Sequence, residues 1–187
     1  MLIGNNDPGA PAILTHVLDR GGIVVAPCDT IYGLLGTAPE TKGRLKELKG
    51  RQEGRAFLQL IASPDWLSRF TDMPLPDVLK HYWPGALTLI FPARGGGSVA
   101  LRVPDDRLLI GVMTRLKKPL YSTSVNISGE SELWQSAEIS ARFAGKVDLF
   151  LDAGDLPGRK PSTILDVTDS PYRLLRQGAL ALPAEIF

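Results

Sequence analysis

The chain has one cysteine, Cys28, and two histidines, His16 and His81. A lone cysteine excludes an internal disulfide and fits a reducing, cytoplasmic setting. So few soft ligands argue against a zinc site, and any metal would be a hard cation held by oxygens or by substrate phosphates. No Ser/His/Asp or Cys/His nucleophile set can be assembled. His16 falls inside an amphipathic helical pattern and His81 shortly precedes Trp83, so both read as structural. No apolar run approaches the roughly 18 residues of a membrane span. The first seven residues, Met1 to Asp7, carry no basic region and no long apolar core, so neither a signal peptide nor membrane contact is expected. Both standard phosphate and dinucleotide loops, Gly-x-x-x-x-Gly-Lys-Ser/Thr and Gly-x-Gly-x-x-Gly, are missing. The net charge is only +1, which does not announce a nucleic-acid binder.

What is present is an ordinary soluble composition, 44% hydrophobic, over 187 residues. That length fits one compact domain, residues 1–187. Apolar spacing predicts helices over Pro11–Leu18, Thr41–Gly50, Asp105–Leu116 and Ala137–Phe143. Ser63-Pro64-Asp65 opens another, with Ser63 as its cap. Short apolar runs predict strands at Ile23–Ala26, Phe57–Ile61, Ala86–Phe91, Val99–Val103, Leu120–Thr123, Asp148–Leu151, Ser162–Val167 and Tyr172–Leu175. Some strand pairs lack an intervening helix. The fold class is therefore α/β with a mixed parallel and antiparallel sheet, not a doubly wound one.

The polar groups collect at element ends. Ser122-Thr123-Ser124-Val125-Asn126-Ile127-Ser128-Gly129 follows a buried strand and holds more hydroxyls than a turn needs. Asp29-Thr30-Ile31-Tyr32-Gly33 follows another strand, where Asp29 reads as a cap for the turn. Lys49 and Arg51 end a helix, where the helix dipole alone favours cations; the same pair also suits a phosphate chain. Arg102 lies in an apolar strand, so its guanidinium must meet an anion or reach water. Ser162-Thr163 follows a Gly/Pro loop, and Arg176-Gln177-Gly178 closes the last strand. Together these describe a cleft lined by hydroxyls and cations, suited to a polyphosphate and a small carboxylate.

In this order the motifs resemble those of the YrdC-type threonylcarbamoyl-adenylate synthases in their short form. The likeness runs from about Gly22 to Gly178. It rests on Pro27-Cys28-Asp29-Thr30-Ile31-Tyr32-Gly33-Leu34, Lys49-Gly50-Arg51 and Trp83-Pro84-Gly85-Ala86-Leu87-Thr88. It continues through Arg102-Val103-Pro104, Ser122 to Gly129, Ser162-Thr163 and Leu175-Arg176-Gln177-Gly178. The resemblance implies a strongly twisted mixed sheet around a positively lined cavity. It also implies an activity: L-threonine, bicarbonate and ATP would give threonylcarbamoyl-adenylate and pyrophosphate. Partner proteins would then pass the threonylcarbamoyl group to a tRNA adenosine. Residue by residue, Thr30, Tyr32, Arg102 and Ser162 would hold threonine. Lys49, Arg51, Thr88, Ser122, Ser124, Asn126 and Arg176 would hold ATP, with Lys49 and Arg51 serving catalysis by neutralising charge. Magnesium would ride on the ATP phosphates.

The chain departs from the family pattern at four places. Cys28 replaces a common Thr, and Arg55-Ala56 replaces a Lys-Pro pair. The strand Phe57–Ile61 lacks a His, and Asp105-Asp106 stands where Asp-His is usual. A YrdC-like protein that grips tRNA or double-stranded RNA without synthase activity is the alternative that the resemblance leaves open.

Overall fold

The computed structural model describes residues 1–50 and 57–187. Its strands are β1 (Leu2–Gly4), β2 (Val24–Pro27), β3 (Tyr32–Thr37), β4 (Leu58–Leu60), β5 (Leu87–Pro92), β6 (Ser98–Arg102), β7 (Leu120–Ser124), β8 (Leu149–Asp152), β9 (Thr163–Asp166) and β10 (Arg173–Arg176). The helices are α1 (Ala10–Asp19), α2 (Lys42–Lys49), α3 (Arg107–Leu116) and α4 (Ser136–Phe143). All ten strands join one sheet in the order β1-β8-β2-β3-β7-β4-β6-β5-β9-β10. Pairings β1/β8, β2/β8, β4/β6 and β5/β9 are parallel; β2/β3, β3/β7, β4/β7, β5/β6 and β9/β10 are antiparallel. The sheet is mixed, as the irregular alternation of elements predicts.

The helices form where the apolar spacing predicts them, and local chemistry sets their ends. After α1 the Gly22 N–H donates to Val17 O and the Gly21 N–H to Leu18 O, with Gly21 at φ 74°. That is a glycine stop closing the orphan carbonyls of the last turn. Asp106 caps α3: its Oδ1 accepts from the Leu109 N–H at 2.9 Å. Behind that cap Leu109, Val112 and Met113 are buried, each burial stabilising by about 1.5–3 kcal/mol. They share one core with Leu14 and Leu18 of α1 and Leu149 and Leu151 of β8.

Four elements differ from expectation. Ser63 opens a 3-10 helix, Pro64–Arg69, rather than an α-helix, and makes no side-chain cap. Its hydroxyl instead lies 3.4 Å from the Asp65 carboxylate. The stretch read as a turn after β2 does turn at residues 28–31, where the Cys28 N–H donates to Ile31 O at 3.1 Å, but its Tyr32 and Gly33 begin β3, whose six residues are all buried. Burial on both faces removes the alternation that would have signalled a strand. Gly33 and Gly36 also weaken its β-character in sequence, yet Gly36 is needed: a Cβ there would lie 2.3 Å from Thr41 Oγ1. β1 and a second 3-10 helix, Asp77–Tyr82, were likewise not expected from the pattern.

Strand alternation places one row of side chains against the core and the next against a cavity. Leu87, Leu89 and Phe91 of β5, with Leu101 of β6 and Leu165 of β9, form a core with Trp83 and Leu79. Thr88 and Ile90 of β5, Ser98, Ala100 and Arg102 of β6, and Ile164 of β9 line the cavity instead.

Candidate functional site

The cavity has a volume of about 730 Å³, within the range of small-molecule sites. Ten expected site residues lie in its wall: Thr30, Tyr32, Lys49, Thr88, Arg102, Ser122, Ser124, Asn126, Ser162 and Arg176. Arg51 and the Arg55-Ala56 departure lie outside the described residues. Among the described residues the wall carries three cations, Lys49, Arg102 and Arg176, and no carboxylate. The donors and acceptors otherwise are hydroxyls and the Asn126 amide. No group of three or more His, Cys, Asp or Glu suited to a metal occurs among the described residues. Cations and hydroxyls in such a wall suit a polyanion such as a phosphate chain.

One end of the cavity is organised by Lys49. This side chain is buried at the last turn of α2. Its ammonium donates to Ser124 O at 2.8 Å and to Asn126 Oδ1. Asn126 Oδ1 also accepts from Ser124 Oγ at 2.8 Å, and Asn126 Nδ2 donates to Glu130 O at 2.6 Å. The Ser128 N–H donates back to Lys49 O at 2.9 Å. The run of small polar residues is thus the end of β7 and a structured loop after it, folded around one lysine. Ser122 and Ser124 alternate along β7 toward the same space, and Thr123 also reaches the wall.

The other end is built on Arg102 and Ser162. Arg102 is only 3% exposed. Its Nε donates to Gly85 O at 2.8 Å, its Nη1 to Thr30 Oγ1 at 3.1 Å and its Nη2 to Asp29 Oδ1 at 2.6 Å. The anion that the apolar strand required is therefore Asp29. The carboxylate read as a turn cap is instead half of a buried ion pair, with side chains 4% and 12% exposed. Thr88 Oγ1 and Ser162 Oγ share a 2.8 Å hydrogen bond. Arg176 donates to Ser162 O through Nε at 3.0 Å and Nη2 at 2.8 Å. Burial holds the Arg176 guanidinium below its usual range; Glu132 pulls it back up and the nearby Arg102 charge pushes it further down.

Tyr32 lies in the cavity wall, but its hydroxyl is engaged elsewhere. Its ring packs edge-on against Phe150 at 5.7 Å between centroids. Its hydroxyl donates to Gly154 O at 2.7 Å and accepts from the Ala153 N–H at 2.8 Å. The polar end of Tyr32 is spent on the loop after β8, a core position with a hydrogen-bonded tip. The sequence reading also missed Asp29. The signal for it was an acid beside Thr30, with a single arginine in an apolar strand elsewhere.

A mixed α/β sheet with a cation- and hydroxyl-lined cavity on one face is the class of protein that this geometry defines. The chain matches, over residues 16–178, the family described as Telomere recombination, that of the Sua5, YciO and YrdC proteins, and it belongs to that family. It is 30% identical over 185 residues to the threonylcarbamoyl-AMP synthase of Pyrococcus abyssi, covering 91% of this chain and 54% of that protein. It is 29% identical over 194 residues to the threonylcarbamoyl-AMP synthase of Bacillus subtilis, covering 95% and 56%. The chain spans about half the length of these curated relatives. Among solved structures, P. abyssi Sua5 complexed with L-threonine superposes with a TM-score of 0.82 at 28% identity, over 91% of this chain and 54% of that one. E. coli YciO shares the fold with a TM-score of 0.81 at 23% identity, over 96% and 94%. No helix among the described residues is long and apolar enough to cross a membrane.

Proposed function

We propose that the chain is a threonylcarbamoyl-adenylate synthase, a nucleotidyltransferase that uses L-threonine, bicarbonate and ATP. The observation that carries this reading is the cavity itself. Lys49, Arg102 and Arg176 converge on a wall free of carboxylates among the described residues, with Thr30, Thr88, Ser122, Ser124, Asn126 and Ser162 between them. The names of the P. abyssi and B. subtilis relatives support it.

The chemistry needs charge control more than proton transfer. The threonine amine and bicarbonate condense to a carbamate with loss of water. A carbamate oxygen then attacks the ATP α-phosphorus, the P–O bond to the β-phosphate breaks, and pyrophosphate leaves. The nucleophile is already an anion, so positioning and neutralisation of like charges lower the barrier. In this reading Arg102 and Thr30 hold the amino acid, with Ser162 beside them. Lys49, Ser122, Ser124, Asn126, Thr88 and Arg176 hold the nucleotide. The Lys49 ammonium offsets the repulsion between carbamate and triphosphate, together with Arg51. Magnesium carried on the phosphates would supply further neutralisation of the polyphosphate charge. The product would serve tRNA modification, with partner proteins and tRNA as downstream acceptors in the cytoplasm.

The test is incubation with isotopically labelled threonine, bicarbonate and ATP. An AMP-linked threonylcarbamoyl product by mass spectrometry, with stoichiometric pyrophosphate, is expected. ADP and phosphate would rule out attack at the α-phosphorus. RNA binding with no pyrophosphate release would favour a YrdC-like RNA-binding protein instead.

A further inference from the structure

Asp29 does not line the cavity, whereas its partner Arg102 does. The carboxylate divides its two oxygens. Oδ1 takes Arg102 Nη2, and Oδ2 accepts the Asp105 N–H at 3.1 Å. Asp29 is thereby anchored to the backbone leading into α3, and it carries that reference to the guanidinium. Arg102 is then gripped at three different nitrogens by Gly85 O, Thr30 Oγ1 and Asp29. Three fixed acceptors define both the place and the roll of a planar group. Two of the five guanidinium N–H donors have no partner among the described residues.

A buried ion pair of this kind is weak evidence for stability, because desolvation offsets the attraction. It is well suited to fixing a direction. We propose that Asp29 is a positioning residue for the amino-acid end of the cavity: it holds Arg102 so that its two remaining donors meet a ligand carboxylate. This rests on the assignment of Arg102 to the threonine carboxylate made under Proposed function. The opposing effect has a different sign. Asp29 also cancels the Arg102 charge, so if electrostatics alone mattered, neutralising Asp29 would tighten the binding of every anion. Orientation and net charge therefore predict opposite outcomes for the same substitution.

The full chain is tested as Asp29→Asn, which keeps the shape and one acceptor, and as Asp29→Glu, which keeps the charge but displaces it by one methylene. Asp106→Ala serves as the comparison, since it removes a helix cap near Asp29 and outside the cavity wall. Steady-state KM for threonine and for ATP is measured for each variant, alone and combined with Arg102→Ala. Both Asp29 variants are expected to raise the threonine KM by about tenfold or more, equivalent to about 1.4 kcal/mol. The ATP KM should stay within about twofold. Combined with Arg102→Ala, neither should add a further loss, the non-additivity expected of one acting through the other. Asp106→Ala should leave both KM values unchanged. Wild-type threonine KM in Asp29→Asn, tighter binding of both ligands, or equal losses for both would overturn the proposal. So would variants that both melt below the assay temperature, which would assign Asp29 to the fold. If Arg102→Ala itself spares threonine, the carboxylate assignment of Arg102 fails first, and the positioning proposal falls with it.

Discussion

Lys49 at the end of α2 and Asn126 beyond the end of β7 are hydrogen-bonded, ammonium to amide oxygen, although 77 residues separate them. Two motifs that are unrelated in sequence are thus one unit in space. The last turn of α2 carries the cation, and the end of β7 with the loop after it supplies three oxygens, Ser124 O, Asn126 Oδ1 and Ser124 Oγ, in one cluster.

Lys49→Ala is expected to weaken ATP binding by about 1.5–3 kcal/mol, the range for hydrogen bonds to charged groups. Titration calorimetry with a non-hydrolysable ATP analogue measures this. Because Lys49 also holds the loop, the melting temperature should fall too. Unchanged nucleotide affinity with a lower melting temperature would reduce Lys49 to a structural role.

Gly178→Ala should be destabilising. A Cβ there would lie 2.2 Å from Pro161 O and 2.4 Å from the Ser162 carbonyl carbon. The Gly178 N–H also donates to Thr163 Oγ1 at 3.0 Å. The backbone must therefore shift, at a cost of about 1–3 kcal/mol, as in other overpacked sites. Denaturant unfolding gives the stability. Since Ser162 is the residue displaced, threonine binding should weaken as well.

Asp106→Ala should lower stability by about 0.5–2 kcal/mol through loss of the α3 cap, with ligand affinities unchanged. Burial raises the Asp106 carboxyl above its ordinary range; hydrogen bonds from the Leu109 and Leu108 N–H groups pull it down, and Asp29 and Asp105 push it up. The acid that departs from the Asp-His pattern is thus accounted for by a helix terminus, not by the cavity. A selective change in ATP or threonine affinity would contradict this.

Cys28 should be inert in the folded chain. Its thiol is pushed up to about 12, by burial first, with Arg102 lowering it and Asp29 and Asp106 raising it. The unfolded thiol titrates near about 8.5. The folded state therefore holds the proton more tightly, and the stability this brings is present below about pH 8.5 and lost as pH rises toward about 12. Thiol labelling should be slow in buffer and fast in denaturant. The fall in unfolding midpoint between about pH 7 and about pH 10 should be smaller in Cys28→Ala than in wild type.

Legibility in the sequence followed periodicity. α1, α3 and α4 and most inner strands carry a regular apolar pattern, and the structure has them where that pattern lies. β3 escaped because burial on both faces leaves no alternation and two glycines interrupt it. The Pro64–Arg69 segment escaped because a proline start suits α- and 3-10 helices alike. For the site, side-chain type was informative and pairing was not. An arginine among apolar residues announces that it needs an anion, but only the fold brings Asp29 to Arg102. Tyr32 shows the converse: its place in a motif says nothing about which way its hydroxyl points.

The strand order has a dynamic consequence. Ser162 and Arg176 stand on the β9–β10 end of the sheet, whereas Thr30 and Lys49 belong to its middle, beside β3 and β7. The wall residues are spread from Cys28 to Arg176 along the chain, so occupancy reports on the assembled sheet and should raise its unfolding midpoint by mass action. A ligand spanning the cavity would fasten a peripheral hairpin to the interior. Amide exchange in β10 should then slow on ligand addition, while β1, at the opposite edge and away from the cavity wall, keeps its own rate.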